Sequence, residues 1–160
     1  MLNCAIYLIV TGVLSFVLGR LIPPGKMNWQ CVPFQPLHGE QNGLIYKKIG
    51  IHRWQDKVPD MSRIFVNLMP QKKMKSVDQN SLLRMIQETC IAELIHTALC
   101  LTGLYCVKLW RGVGGIIFAM LNVVLFNLPF ILIQRYNRPR LVRLYQRQIE
   151  KEMQAASCQP

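Results

Sequence analysis

Three stretches of the chain are apolar almost without interruption, and the segments around them are polar, basic or broken by proline. Leu2 to Gly19 and Gly112 to Ile133 carry no charge, and Ile91 to Val107 carries only Glu93 and His96. Each approaches the roughly 20 residues that a spanning helix needs. The pattern predicts an all-α membrane protein with about three transmembrane helices, over 2–19, 91–107 and 112–133. The middle span is short, at about 17 residues, and a buried or re-entrant segment is the competing reading. The first could be a cleaved signal peptide, but it has no basic n-region and no small-residue cleavage site before Arg20, so a retained anchor is expected.

Between the first two spans, residues 20–90 are punctuated by Pro23, Pro24, Pro33, Pro36, Pro59 and Pro70. So short a segment cannot own a large core, and loops and short helices lying against the membrane are expected. After the third span, Leu141, Tyr145, Ile149 and Met153 fall on one helical stripe with Arg143 and Arg147 on the far side. That pattern predicts an interfacial amphipathic helix in the tail, 134–160. Its entry is expected at N-R-P-R, because the residue before Pro139 is biased away from helix.

Composition agrees with the pattern: 160 residues, 51% hydrophobic, mean hydropathy +0.21 and net charge +11. Its distribution sets an orientation. Eleven Lys and Arg lie in 20–90 and six follow Ile133, whereas only Lys108 and Arg111 separate spans two and three. By the positive-inside rule the middle segment and the tail face the cytoplasm, and the N-terminus lies outside. Because the basic residues flank apolar spans, membrane lipids are the expected anionic partners and nucleic acid is not.

The six cysteines form no C-x-x-C pair and most sit in or beside spans, where a thiol behaves as a small apolar group. With only His38, His52 and His96 and no H-E-x-x-H, no metal site is implied, and no motif asks for a cofactor.

The chemistry concentrates in E-T-C-I-A-E-L-I-H, Glu88 to His96. Glu93 and His96 are three apart and share a helix face, while Glu88 is rotated well round from Glu93. A carboxylate one turn before an imidazole can orient it as a general base, and ionisable groups within spans are functional by default. Asn127 lies about two turns inside the end of span three, at the depth of Glu93 and His96. The bland alternatives are interfacial snorkelling for the pair and an interhelical hydrogen bond for Asn127.

These residues, with N-L-P-F-I-L-I-Q-R-Y-N-R-P-R-L from Asn127 to Leu141, resemble the glycosyl-4,4'-diaponeurosporenoate acyltransferase family, and W-Q-D-K-V-P-D from Trp54 to Asp60 resembles it more loosely. The resemblance runs over about Lys47 to Leu144. It implies transfer of a fatty acyl group, with acyl-CoA as the expected donor, onto a sugar hydroxyl of a glycosylated lipid or carotenoid. It implies a bacterial cell membrane as the location, and His96 and Glu93 as catalytic residues. Substrate contacts are implied for Glu88, Asn127, Gln134, Arg135, Tyr136, Asn137, Arg138 and Arg140, and for Trp54, Lys57 and Asp60. Arg135, Arg138 and Arg140 would bind donor phosphates or stabilise developing negative charge; their alternative is positive-inside anchoring. The competing class is a small non-enzymatic membrane subunit or lipid-binding scaffold.

Overall fold

A computed structural model describes residues 1–40, 44–58 and 78–157, with the side chain of Asp56 excepted. Every regular element among them is helical. Helix α1 covers Leu2–Leu21; short helices α2 (Leu44–Lys48) and α3 (Ile51–Trp54) follow in the middle segment; α4 covers Gln79–Gly103. A short α5 (Cys106–Leu109) leads through a turn at Gly112 into α6 (Val113–Leu121), a π-helical turn Asn122–Asn127, and α7 (Leu128–Ser157). Three continuous helical stretches, Leu2–Leu21, Gln79–Leu109 and Val113–Ser157, are long and apolar enough to cross a membrane.

The second stretch starts twelve residues before the expected span. Asp78 caps α4 by accepting from the Ser81 N–H, which sets the helix start well ahead of the oil. The added turns bury Leu82, Ile86, Thr89 and Cys90 along one stripe that Glu93 continues into the span, the face that meets α7. The span is therefore the upper part of a longer helix.

The third stretch also runs past its expected end. At 1.5 Å per residue, the 45 residues of Val113–Ser157 extend about 68 Å, roughly twice an apolar layer. The tail expected as a separate helix is the continuation of α7, and the break expected before Pro139 is absent. An interior proline costs about 3 kcal/mol. Here Arg135 and Arg138, on the turn before it, make seven side-chain hydrogen bonds to other parts of the chain, and this anchoring overrides the local preference.

Helix α1 runs against α4, with Gly19 packed on Ile91 and Ile95 at one end. At the other end Tyr7 donates to the Thr102 carbonyl at 3.0 Å, and Cys4 packs with Cys106 and Ala119. The N-terminus of α1 thus shares a level with the turn joining α4 to α6. Around the bundle, Ile9, Val13, Leu14, Ile116, Ile117, Leu125 and Phe126 are exposed, an apolar girdle suited to lipid.

Candidate active site

Between Asn122 and Asn127 the backbone widens from an α to a π turn, and the Leu128 N–H bonds the Val123 carbonyl five residues back. Pro129 follows, without the N–H that an α ladder would send to Leu125. In a regular α-helix residues five apart are rotated by roughly 140°. The wider turn brings both asparagines to one face, towards α4.

There they form a chain of amides. Asn122 Nδ2 donates to the Leu99 carbonyl at 2.9 Å, and Asn127 Nδ2 donates to the Asn122 carbonyl at 2.8 Å and its Oδ1 at 3.1 Å. Asn127 Oδ1 is left facing His96 Nδ1 at 2.9 Å, and an amide oxygen can only accept. His96 Nδ1 is therefore the donor, and in the neutral imidazole the lone pair falls on Nε2. Phe130 stacks on the imidazole, with centroids 4.6 Å apart and planes within 5°, and fixes the ring plane. Gly103 completes the arrangement: a Cβ there would sit 1.9 Å from Asn122 Nδ2.

Glu93 has a different task from the one its spacing suggests. Its carboxylate is buried and accepts from Arg135 Nε at 2.7 Å through one oxygen and from Arg138 Nη2 through the other. The partner that orients His96 is Asn127. Glu40 joins from the segment after α1, accepting from Arg135 Nη1 and, at 2.6 Å, from the Tyr46 hydroxyl. Burial and the Glu40 carboxylate push the Tyr46 hydroxyl above its ordinary range, so it stays a donor. Arg135 also donates to the Pro33 carbonyl, and Arg138 to Thr89 and the Phe34 carbonyl. Each guanidinium nitrogen of both arginines has a protein acceptor, and together they tie Pro33, Phe34 and Glu40, α4 and α7 into one lattice.

Gln134, Asn137 and Arg140 line a groove of about 500 Å³ between α4 and α7. Tyr136 is buried with Tyr46 and Ile51, and Arg140 stacks on its ring at 4.6 Å. Trp54 packs on that same cluster, Lys57 is exposed, and Glu88 pairs with Arg84 one turn away near the surface. Asp60 lies outside the described residues. The sequence reading passed over Glu40, Tyr46, Thr89, Asn122 and Phe130. Only Asn122 left a usable signal, as a second asparagine in an uncharged span.

The model of the glycosyl-4,4'-diaponeurosporenoate acyltransferase family matches residues 32–147, the whole of the lattice and the amide chain. The chain belongs to that family. Members from Staphylococcus aureus strains N315 and USA300 are each 30% identical over 144 residues, 88% of this chain and 85% of theirs. No solved structure matches. As a glycosyl-4,4'-diaponeurosporenoate acyltransferase family member it is an enzyme of acyl transfer, and the non-enzymatic scaffold class is set aside. The matched region starts just before the carbonyls of Pro33 and Phe34 that receive Arg135 and Arg138, and ends at Arg147 in the groove.

Proposed function

We propose that this enzyme moves a fatty acyl group from an acyl-CoA to a sugar hydroxyl of a glycosylated carotenoid or lipid, at the cytoplasmic leaflet, with His96 as general base. The observation that carries this reading is the amide chain from Leu99 to His96 Nδ1, which in the neutral imidazole places the lone pair on Nε2. The acceptor hydroxyl gives its proton to Nε2 as its oxygen attacks the acyl carbon and the carbonyl electrons move to oxygen. The tetrahedral intermediate re-forms its carbonyl, the C–S bond breaks with its electrons on sulfur, and the imidazolium returns the proton to the thiolate. An ester and a free thiol result.

Asn127 and Asn122 are positioning residues that set the tautomer, and Phe130 sets the ring plane. Glu93, Arg135, Arg138 and Glu40 hold the two helices and residues 33–40 in register. The cytoplasmic assignment rests on the basic residues of 20–90 and of the tail, with α1 bringing its N-terminus to the level of the sparsely charged 104–112 turn.

Membranes carrying the protein, supplied with labelled acyl-CoA and a glycosylated carotenoid or glycolipid, should form an acylated sugar detectable by mass spectrometry. His96→Ala should insert normally and lose roughly 10²–10⁴ in rate. Near-normal turnover by that variant would refute the general-base role.

A further inference from the structure

The groove between α4 and α7 holds cations that the lattice does not use. Arg140, Arg143 and Arg147 are exposed along its rim, and among the described residues no carboxylate pairs with any of them. Their spacing of three and four puts them on one side of α7, over about 10 Å of helix. Arg140 is steadied by its stack on Tyr136, which leaves the edge of the fork open to an acceptor. Beside these arginines the lining is apolar, with Met85, Leu141 and Leu144.

The groove and the imidazole share the same faces of α4 and α7. Thr89, in its wall, and His96 are seven residues apart on α4, hence on one face and about 10 Å apart along the axis. On α7, Phe130, Gln134, Asn137, Leu141 and Leu144 follow at steps of four, three, four and three, a single stripe from the His96 stack to the groove. A ligand with phosphates at one end and, past a linker arm, an acyl thioester matches a cationic rim with the reactive imidazole farther along the same seam.

We propose that this groove is the seat of the acyl donor, with Arg140, Arg143 and Arg147 holding its phosphates and the α4–α7 seam leading its acyl carbonyl to His96. The identity of the ligand as donor rests on the acyl-transfer reading above; the phosphate site does not. Donor binding thereby passes from Arg135 and Arg138, whose nitrogens are engaged within the protein, to the next two turns of the same helix. A soluble thioester of a phosphorylated nucleotide and an anionic phospholipid present the same chemistry, phosphate joined to acyl chain.

The test uses the full chain in nanodiscs of phosphatidylcholine, with coenzyme A and dephospho-coenzyme A as soluble probes. The R140Q/R143Q/R147Q variant should bind coenzyme A at least about tenfold more weakly, since charge-assisted contacts are the strong ones. Dephospho-coenzyme A should be affected less. A K47Q/K48Q/R111Q control, which removes equal charge elsewhere, should bind as wild type, as should His96→Ala. If coenzyme A binding is unchanged but the triple variant loses affinity for vesicles containing phosphatidylglycerol, the phosphate site stands and its ligand is the lipid. Unchanged binding of both by the triple variant would overturn the proposal. A wild-type protein that binds coenzyme A through these arginines yet forms no ester would instead refute the acyl-transfer reading.

Discussion

Glu93→Gln keeps the shape of the side chain at the lattice centre and removes its charge. Arg135 retains Glu40 as a counter-ion, but Arg138 is left with the Thr89 hydroxyl and the carbonyls of Thr89 and Phe34, all neutral. Its side chain is 4% exposed, so water cannot replace the carboxylate. Removing one partner of a buried pair costs about 3–5 kcal/mol, a large share of the roughly 5–15 kcal/mol that holds a domain folded. At about 2–4 °C per kcal/mol for a chain of this size, the melting temperature should fall by about 6–20 °C. Glu88→Gln is the matched control, because its pair with Arg84 has side chains 32% and 69% exposed and is worth about 0.3–0.5 kcal/mol. Both variants are to be melted in the same detergent by tryptophan fluorescence or circular dichroism. Activity of Glu93→Gln should recover on cooling below its transition. A melting temperature within about 2 °C of the Glu88→Gln value would refute the structural role, and a rate loss persisting in fully folded Glu93→Gln would return the carboxylate to the chemistry.

Two further outcomes follow from the same geometry. Gly103→Ala should displace the Asn122 amide, free the His96 tautomer and lower kcat by roughly tenfold or more with little change in KM, measured in steady-state acyl transfer; an unaltered kcat would mean that the amide chain does not govern His96. In a Cys31→Ser background, Arg111→Cys should react with a membrane-impermeant thiol reagent in intact cells and Lys48→Cys only after permeabilisation; the reverse pattern would invert the orientation.

The apolar runs made the three spans legible, because lipid demands length and the absence of charge, and both are written directly in sequence. The depth match between His96 and Asn127 was legible for the same reason: rise per residue is nearly constant along helices. Partners were not. Glu93 and His96 share a face at i, i+3, yet the carboxylate goes to two guanidinium groups on another helix, which helical spacing cannot report. Pro139 misled through a local rule that seven tertiary hydrogen bonds override. Asn122 was hidden by the assumption of 100° per residue, which fails across the π turn. Glu40 sits among prolines and glycines, in a segment without periodicity, and only the folded chain shows that it closes the lattice.

The most direct measurement is the pH dependence of kcat/KM for acyl transfer in wild type and in His96→Gln, made on folded protein in nanodiscs. A general base gives an acidic limb on which log kcat/KM rises with a slope of one until the imidazole is neutral. We expect that limb in wild type and its loss from the residual activity of His96→Gln. The same limb in both proteins would assign proton removal to another group and contradict the mechanism.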